Sequence, residues 1–452
     1  MAISNDLDQA SDQDVTTEPQ AGETPRWQFD TLQLHAGQTP DPTTGAMATP
    51  IYATSSYVFK SAEHAEDLFA GRTPGNQYGR MDNPTVEAFV DRLVALEGGK
   101  AGLALASGQA ATTTALLALA SPGAHILFSR ELFGGTFSVA RKILTPWGAR
   151  CSTAAPQPDA IAGAISDDTV AVWLETIANP SCTVPDLAAI AEICRARQVP
   201  LIVDNTWGCG GYLCRPLDLG VDDLGADIVV HSATKWIGGH GSFIGGAIVD
   251  AGRYDWANGK FPAFTARDSR GRSYVSRAGE TAFSLRARDL GLFTMGMTLS
   301  PYAASLALQG SETLSLRVQR ACDTALDLAR WLEPRPDVKR VIYPGLDSHL
   351  SHDVAKKTLR HGYGAVFSFE ATSLGAARAF LDRVRLASHL ANIGDAKTVV
   401  INPWTTTHAS LPEEDRLAAG VSPELVRVSV GLEHPADLQA DFAHALAAPV
   451  PG

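Results

Sequence analysis

The sequence predicts an α/β protein with a mainly parallel sheet, followed by a smaller α+β domain at the C-terminal end. Short, continuously apolar runs recur along the first two thirds of the chain, and helical stretches such as 188–197 lie between several of them. Strands buried on both faces have this pattern, and helices cover the faces of parallel sheets. From about residue 300 the sequence becomes helical, notably over 312–333, and strand-like runs then return.

The individual elements follow from apolar runs and from capping residues. A helix is expected to begin after Asn83, a good N-cap followed by Pro84, and to end at Gly98 and Gly99. The predicted strands are 102–106, 125–128, 170–174, 199–204, 228–230 and 246–249 in the large domain, and 365–370, 398–401 and 425–430 in the smaller one.

Composition divides the chain into four segments. The first 26 residues contribute −5 of the formal net charge of −12 and contain few apolar residues, so this acidic tail is expected to be disordered. The next segment has little regular period, and we expect it to be an arm that packs on a neighbouring subunit. The predicted segments are the tail 1–26, the arm 27–79, a large domain 80–298 and a C-terminal domain 299–452.

Several classes of protein are disfavoured. No apolar run reaches the roughly 18 residues of a membrane span, and no signal-peptide pattern begins the chain, so a cytoplasmic protein is predicted. There is no basic patch with interleaved aromatic residues that would indicate nucleic acid. The six cysteines form no CxxC pair and no metal-ligand spacing, so we expect no metal and reduced, mostly packed thiols.

Two predicted strands end in groups that can act together. The run 228–230 is followed by hydroxyl residues and Lys235, and the run that starts at Val199 ends at Asp204. Ligands of open α/β sheets bind at the carboxyl ends of the strands, so both side chains are expected at one site. Pyridoxal phosphate (PLP) needs a lysine for a Schiff base and an acid beside its pyridine nitrogen. From these strands alone, a simple Asp–Lys ion pair is an equally good interpretation.

A phosphate site is predicted between the first strand and the helix after it. Ser107, Gly108 and Gln109 lie at this junction, where free backbone N–H groups and the positive end of a helix favour a phosphate. An ordinary serine N-cap is equally typical of this fragment. Ser232 and Thr234 add hydroxyl groups beside the lysine.

Four other residues are weaker candidates. Asn179 follows the strand 170–174 and could bring an amide to the phenolic oxygen of the cofactor, although Asn-Pro is also a common turn. Phe133 could stack on a planar ring, whereas most phenylalanines belong to a core. Tyr78 and Arg80 could supply a further donor and a charge.

Six short motifs occur along the chain in a fixed order. They are Ser107-Gly-Gln-Ala-Ala111, Val203-Asp-Asn-Thr206, His231-Ser-Ala-Thr-Lys-Trp-Ile-Gly-Gly-His240, Leu390-Ala-Asn-Ile-Gly-Asp-Ala-Lys397, Thr405-Thr-Thr-His408 and Val426-Arg-Val-Ser-Val-Gly-Leu-Glu433. Together they resemble the Cys/Met-metabolism family of PLP enzymes, most closely its O-acetylhomoserine sulfhydrylases, also called homocysteine synthases. The resemblance extends from about residue 28 to 445.

The resemblance implies PLP-dependent transferase fold type I, the aspartate-aminotransferase-like fold. It also implies a dimer with shared active sites and an expected tetramer. Lys235 would be the Schiff-base lysine and Asp204 the partner of the pyridine nitrogen. Arg427, with Ser388, would clamp the substrate carboxylate, for which a bidentate guanidinium is suited. The other implied contacts are Ser107, Gly108, Gln109, Thr206, Ser232 and Thr234 to the cofactor, Phe133 against its ring, Asn179 near cofactor and substrate, and Tyr78 and Arg80 from the neighbouring subunit.

The implied reaction is γ-replacement on O-acetyl-L-homoserine. Acetate leaves the γ-carbon, sulfide or a thiol adds there to give homocysteine or methionine, and the Lys235 amine moves the protons. Two departures from the family pattern leave the nucleophile open. Phe133 stands where the family usually has tyrosine, and Ile401-Asn-Pro-Trp404 replaces the usual run before the Thr405 motif, so that Trp404 could reshape the pocket.

Three alternatives therefore accompany the predicted reaction. The first is addition of a carbon, nitrogen or bulkier thiol nucleophile to the same substrate. The second is a cystathionine or methionine γ-lyase, which the Gly394 to Lys397 and Thr405 to His408 motifs disfavour. The third is a cofactor-binding protein without catalysis, which the intact set of Lys235, Asp204 and Arg427 disfavours.

Overall fold

The computed structural model describes residues 27–447, and two sheets organise this part of the chain. The predicted acidic tail 1–26 lies outside the described residues. No helix within residues 27–447 has the length and apolar character needed to cross a membrane. In the same range, no group of three or more His, Cys, Asp or Glu side chains is arranged to hold a metal ion.

The first sheet has seven strands: β1 (Ala101–Leu105), β2 (His125–Ser129), β3 (Arg150–Ala154), β4 (Thr169–Glu175), β5 (Leu201–Asp204), β6 (Ile228–His231) and β7 (Gly246–Asp250). Their spatial order is β1-β7-β6-β5-β4-β2-β3, and only β7 runs antiparallel to its neighbours. β2, β4, β6 and β7 are buried along their whole length, as the continuous apolar runs predict. The mainly parallel sheet is therefore confirmed. The edge strand β3, which has mostly exposed residues, is absent from the sequence prediction.

Helices cover both faces of this sheet and continue into the C-terminal region. They are α1 (Phe29–His35), α2 (Ala62–Ala70), α3 (Pro84–Glu97), α4 (Gly108–Leu119), α5 (Gly134–Val139), α6 (Pro158–Ala164), α7 (Leu187–Ala196), α8 (Pro262–Thr265), α9 (Tyr274–Ala278), α10 (Ala282–Arg288), α11 (Pro301–Ser311), α12 (Leu314–Leu332), α13 (His352–Thr358), α14 (Leu374–Arg383), α15 (Glu413–Ala418) and α16 (Pro435–Leu446). Two π-helical turns, Ala140–Leu144 and Asp289–Thr294, extend α5 and α10.

Two helices that border the site begin as their sequences predict. The side chain of Asn83 accepts hydrogen bonds from the first turn of α3, and that helix ends at Gly98, whose φ of 74° suits glycine. Ser107 caps α4, because its Oγ accepts from the N–H of Ala110 at 3.0 Å. The cap leaves the N–H groups at the very start of α4 without intrahelical acceptors.

The second sheet has five strands: β8 (Val338–Ile342), β9 (Val366–Ala371), β10 (Ser388–His389), β11 (Val399–Ile401) and β12 (Leu425–Ser429). Their order is β10-β11-β12-β9-β8, and only β10 and β11 pair in parallel. Buried side chains of α12, α14 and α16 pack on this sheet. The three predicted C-terminal strands are confirmed, whereas β8 and β10 are additional.

α12 packs against both sheets. Leu314 and Val318, in its first half, belong to the core of the large sheet, whereas Leu328 and Leu332 belong to the core of the smaller one. The buried core is thus continuous across the predicted domain boundary at residue 299, which remains a prediction. The arm, whose sequence has little regular period, contains the short helices α1 and α2. Helices of two turns are too short to show a clear apolar period. Packing of the arm on a neighbouring subunit remains a prediction.

The cysteines of the chain are unpaired. Five of the six are buried, and Cys151 is partly buried. Burial raises the pKa of the Cys182 thiol to about 12. The thiols are therefore packing groups, as the sequence predicts.

Candidate active site

A cavity of about 380 Å³ lies at the carboxyl ends of the central strands of the large sheet. Segments of the C-terminal sheet form its opposite wall. The lining residues are Ser107, Gly108, Gln109, Thr112, Phe133, Thr136, Glu175, Ile177, Asn179, Asp204, Thr206, Trp207, Ser232, Thr234, Lys235, Ile244, Ala391, Asn392, Ile393, Thr407 and Arg427. The position agrees with the general rule for open α/β sheets.

Two carboxylates lie side by side on the sheet wall. Asp204 ends β5 and Glu175 ends β4, and the two residues are paired in the parallel register of these strands. Burial raises the pKa of Asp204, although hydrogen bonds from Thr206 oppose the shift. Burial, together with the charge of Asp204, raises the pKa of Glu175 well above its usual range. Two adjacent buried acids resist carrying two negative charges, so this wall favours a cationic ligand atom.

Lys235 lies in the turn that follows β6. The turn is closed by hydrogen bonds from the Lys235 N–H to the Ser232 carbonyl at 3.2 Å and from the Gly239 N–H to the Lys235 carbonyl at 2.7 Å. The amine Nζ donates to Asn392 Oδ1 at 2.6 Å, so it is held inside the cavity. Burial, and then the charge of Arg427, lower the pKa of the Lys235 amine to about 8. A substantial share of the amine is therefore neutral and nucleophilic near physiological pH.

Small groups at the start of α4 shape one end of the cavity. Gly108 packs so closely on Ser232 that a Cβ at Gly108 would lie 2.7 Å from the Ser232 Cβ. The hydroxyl groups of Ser107, Thr206, Ser232 and Thr234 surround this point, although Ser107 Oγ also caps α4 and Thr206 Oγ1 accepts from the Ser232 N–H. Hydroxyl groups around a helix N-terminus form a suitable anion site.

Arg427 brings a buried cation to the wall formed by the C-terminal sheet. It lies on β12, and its Nη1 and Nη2 donate to Asn179 Oδ1 at 3.0 Å and to the Asn392 carbonyl at 3.1 Å. Its Nε is buried without a partner, and within residues 27–447 the guanidinium forms no salt bridge with a carboxylate. Burial lowers the pKa of this guanidinium to about 10.

Glu175 also fixes two lining residues. Its carboxylate accepts from the N–H groups of Phe133 at 2.7 Å and of Asn179 at 3.0 Å. Phe133 precedes α5, is 37% exposed and borders the cavity. A single buried side chain thus positions the aromatic ring and the amide that were predicted separately.

Three predicted site residues do not line the cavity of this chain. Tyr78 is 44% exposed, and the guanidinium of Arg80 lies 5.6 Å from its ring and donates to the Phe293 carbonyl. Ser388 is in the edge strand β10, and its N–H donates to the Thr398 carbonyl at 2.9 Å. No hydrogen bond joins Ser388 to Arg427 within the described chain, and Asn179 and Asn392 contact the guanidinium instead. Binding of the substrate carboxylate by Ser388 together with Arg427 remains a prediction.

Trp404 is also absent from the cavity lining. The guanidinium of Arg416 stacks on its ring at 3.7 Å, and the ring packs against the small cluster of Ala419, Val421 and Leu425. Trp404 therefore makes no direct contact with the cavity, and its effect on the shape of the pocket remains a prediction. Thr407, three residues further on, is the lining residue of this segment.

Several lining residues are not predicted from the sequence. Glu175 could have been found, since it ends a strand adjacent to the one ending at Asp204. Asn392 and Thr407 belong to two of the six motifs. Those motifs support the family resemblance, but they assign no role to either residue. Ile244 and Ile393 carry no signal that separates them from other apolar residues.

The donor set fits PLP. The anion site, the acid at Asp204 and the lysine of lowered pKa match the phosphate, the pyridine nitrogen and the aldehyde of this cofactor. The close packing of Gly108 on Ser232 leaves no room for a side chain where the phosphate would be held. The guanidinium of Arg427, which has no carboxylate partner within the described residues and a free Nε, could bind a further anion.

Comparison with known proteins agrees with this chemistry. The chain is 47% identical to a homocysteine synthase of Schizosaccharomyces pombe over 92% of its length and 98% of that protein. It is also 47% identical to O-acetyl-L-homoserine sulfhydrylase 1 of Thermus thermophilus, over 93% of its length and all of that protein. A crystal structure of a Campylobacter jejuni protein, assigned as an O-acetylhomoserine (thiol)-lyase and containing N'-pyridoxyl-lysine-5'-monophosphate, superposes with a TM-score of 0.89 at 32% identity, covering 93% of this chain and all of that one.

A sequence model of the family described as "Cys/Met metabolism PLP-dependent enzyme" matches residues 30–447. The match covers almost all of the described chain and includes both sheets. The fold type that the resemblance implied is thereby confirmed, as is pyridoxal phosphate as the cofactor. The chain belongs to the Cys/Met metabolism family of PLP-dependent enzymes.

Proposed function

We propose that this enzyme catalyses γ-replacement on O-acetyl-L-homoserine. Sulfide or a thiol forms a bond to the γ-carbon, the bond from that carbon to the acetyl oxygen breaks, and homocysteine or methionine leaves with acetate. The observation that carries the proposal is the buried, unpaired guanidinium of Arg427, which faces the same cavity as Lys235. A site with one amine and one carboxylate clamp suits an α-amino acid.

The cofactor would be held by the sheet wall. Lys235 would bind it covalently, and Asp204 would accept a hydrogen bond from the pyridine nitrogen. Phe133 would lie against the ring, and Asn179 would reach cofactor and substrate. Ser107, Gly108, Gln109, Thr206, Ser232 and Thr234 would surround the phosphate.

Each residue then has a defined task. When bound, PLP supplies an electron sink that makes protons near the amino group of the substrate acidic. Lys235, with a pKa of about 8, can take up a proton from the α-carbon and return it during turnover. Asp204 would stabilise positive charge at the pyridine nitrogen, and Arg427 would hold the substrate carboxylate and so orient the substrate relative to the Lys235 amine.

A second candidate reaction uses another nucleophile with the same substrate. It is favoured by Phe133, which brings a ring without a hydroxyl group to the cavity. Ile177, Ile244 and Ile393 add further apolar surface on the lining, so a carbon nucleophile or a bulkier thiol would find apolar contacts there.

The experiment that separates these reactions is a competition. Purified enzyme with PLP is given O-acetyl-L-homoserine and, in turn, sulfide, methanethiol, a longer alkyl thiol and a carbon nucleophile, and products are measured by mass spectrometry. We expect the highest kcat/KM with sulfide or methanethiol. Turnover with neither of them would sink the sulfhydrylase proposal, and preferential use of another nucleophile would establish the second candidate.

We further propose a cytoplasmic homo-oligomer, at least a dimer and expected to be a tetramer, in which Tyr78 and Arg80 reach the site of the neighbouring subunit. The supporting observation is that both residues lie outside their own cavity, while Ile51, Val58 and Phe59 of the arm expose apolar side chains. Lys235→Ala and Arg80→Ala proteins, mixed under conditions of subunit exchange, should regain activity. Sedimentation gives the oligomer size, and a mixture that stays inactive after proven exchange contradicts the shared site.

A further inference from the structure

A buried polar cluster lies beside the cavity without lining it. It consists of Glu97, Thr176, Asn205 and His231, whose relative exposure is 0% in every case. Burying four polar side chains together is unfavourable unless they bind one another. The pattern of their contacts indicates what the cluster does.

Glu97 is the centre of this cluster. It is the last residue of α3, and its Oε1 accepts a hydrogen bond from Asn205 Nδ2 at 2.8 Å. The same oxygen is hydrogen-bonded to His231 Nε2 at 2.6 Å. One carboxylate therefore connects two neighbouring strands, because Asn205 follows β5 and His231 ends β6.

Asn205 extends the connection to a third strand. Its Oδ1 accepts from Thr176 Oγ1 at 2.5 Å, and Thr176 directly follows β4. Its Nδ2 also donates to the Cys214 carbonyl at 2.8 Å. Every hydrogen-bonding atom of the Asn205 side chain is thus used, which fixes its orientation.

Three residues of the cluster are adjacent in sequence to residues of the cavity wall. Thr176 follows Glu175, Asn205 follows Asp204 and His231 precedes Ser232. Asp204 is paired with Val230 in the strand register, and side chains alternate along a strand, so Asn205 and His231 point to the sheet face opposite to Asp204. The cluster is therefore connected to the site through the backbone, and the charge of His231 also bears on the Asp204 carboxyl, whose pKa is raised by burial and lowered by this charge.

We propose that Glu97 is a positioning residue for the cofactor site. By binding Asn205 and His231, it fixes the spacing between the strand end that carries Asp204 and the turn that carries Ser232 and Lys235. Main-chain bonds already join these strands, among them the Asn205 N–H to the Val230 carbonyl at 2.8 Å. Glu97 adds an anchor from a helix outside the sheet. The inference requires PLP binding and is independent of the nucleophile used.

The test compares two substitutions at one position in the full-length enzyme. Glu97→Gln keeps a side-chain oxygen that can accept both hydrogen bonds, and Glu97→Met keeps the length of the side chain without an acceptor. Leu96→Ala is the matched control, because Leu96 is the buried neighbour in α3 and has no polar group. The measurements are the PLP dissociation constant, the absorption spectrum of the bound cofactor, kcat, KM and the melting temperature.

We expect Glu97→Met to weaken PLP binding and to reduce kcat by about 10- to 100-fold, since small misplacements of reacting groups have such effects. Its bound cofactor should have a shifted absorption band, and its KM for O-acetyl-L-homoserine should change much less than its kcat. Glu97→Gln should remain within about threefold of the unmodified enzyme, because a retained hydrogen bond preserves most of the geometry. Leu96→Ala should melt earlier but bind PLP with unchanged affinity and spectrum.

A second variant covers the case in which Glu97→Met does not fold. A Cβ at Gly208 would lie 1.8 Å from Asn205 Oδ1, so Gly208→Ala displaces Asn205 while every polar group of the cluster stays present. It should also weaken PLP binding and shift the absorption band. The proposal is overturned if folded Glu97→Met binds PLP as Leu96→Ala does, if Glu97→Gln is as impaired as Glu97→Met, or if Gly208→Ala leaves cofactor binding unchanged.

Discussion

The two walls of the cavity differ in how their charged groups are compensated. On the sheet wall, Asp204 accepts from the Thr206 N–H, and Glu175 accepts from two backbone N–H groups. On the wall formed by the C-terminal sheet, Arg427 has only an amide oxygen and a carbonyl as partners, and its Nε has none within the described chain. The two acids are thus oriented by backbone N–H groups of this chain, whereas the buried cation has no carboxylate partner within the described residues.

The difference indicates two kinds of ligand. A wall whose groups are already fixed is suited to a resident cofactor, which must be held in one orientation through many turnovers. A buried guanidinium without an anion has an unfavourable free energy of burial that an incoming carboxylate relieves. Substitutions on the sheet wall should therefore affect mainly cofactor binding and kcat, and those on the other wall mainly KM.

The largest effect is expected at Lys235. Lys235→Ala removes both the covalent attachment and the proton-transferring amine, so kcat should decrease by about 10²- to 10⁴-fold or more. Borohydride reduction followed by peptide mass spectrometry should label Lys235 in the unmodified enzyme and no residue in the variant. Lys235→Arg is the control, because it keeps a positive charge on a side chain of similar length. A Lys235→Ala protein with full activity would contradict the proposed mechanism.

Asp204 should have the next largest effect. Asp204→Asn keeps the shape but removes the negative charge that stabilises a protonated pyridine nitrogen, so kcat should decrease by about 10²- to 10³-fold. KM should change little, since Arg427 is untouched. Glu175→Gln is the control for loss of a negative charge on the same wall. Glu175 accepts from the backbone N–H groups of Phe133 and Asn179 and is not proposed to contact the pyridine nitrogen. An equal loss in kcat for both variants would show that the two acids do not have separate roles.

Arg427 tests the opposite wall. Arg427→Gln should raise KM for O-acetyl-L-homoserine by about 10- to 100-fold, because hydrogen bonds to a charged group are lost, while kcat decreases less. Arg427→Lys, which keeps the charge without the bidentate fork, should be intermediate. If Arg427→Gln lowers kcat and leaves KM unchanged, the wall formed by the C-terminal sheet does not act mainly on substrate binding.

Arg427→Gln should also change the pH dependence of cofactor attachment. The positive charge of Arg427 is the second cause, after burial, of the lowered pKa of Lys235. Only the neutral amine attacks an aldehyde, so attachment of PLP to the apoenzyme should accelerate as pH rises through about 8. Removing the like charge raises the pKa of the amine, so the midpoint in Arg427→Gln should move to higher pH. Stopped-flow absorbance measures both midpoints.

The two walls also differ in how well the sequence predicts them. Lys235, Asp204 and the start of α4 follow apolar runs, and strand ends of one parallel sheet meet at a common edge, so their proximity could be predicted. Arg427 was assigned through a motif alone. Asn392, which accepts from the Lys235 amine, is not predicted, because the path of the chain between β10 and β11 depends on contacts across both sheets. Local pattern carries no information on such contacts.

The smallest effect is expected at Phe133. Phe133 borders the cavity from the sheet wall, and its position is set by the Glu175 hydrogen bond to its backbone, which any side chain would keep. Phe133→Tyr adds only a hydroxyl group, so kcat should change by about 2- to 10-fold, the size of one hydrogen bond. Phe133→Leu, which removes the ring, should weaken PLP binding more than Phe133→Tyr does. The added hydroxyl could instead change which nucleophile is preferred in the competition assay. That result would show that Phe133 contacts the incoming nucleophile, so that the sheet wall binds substrate as well as cofactor.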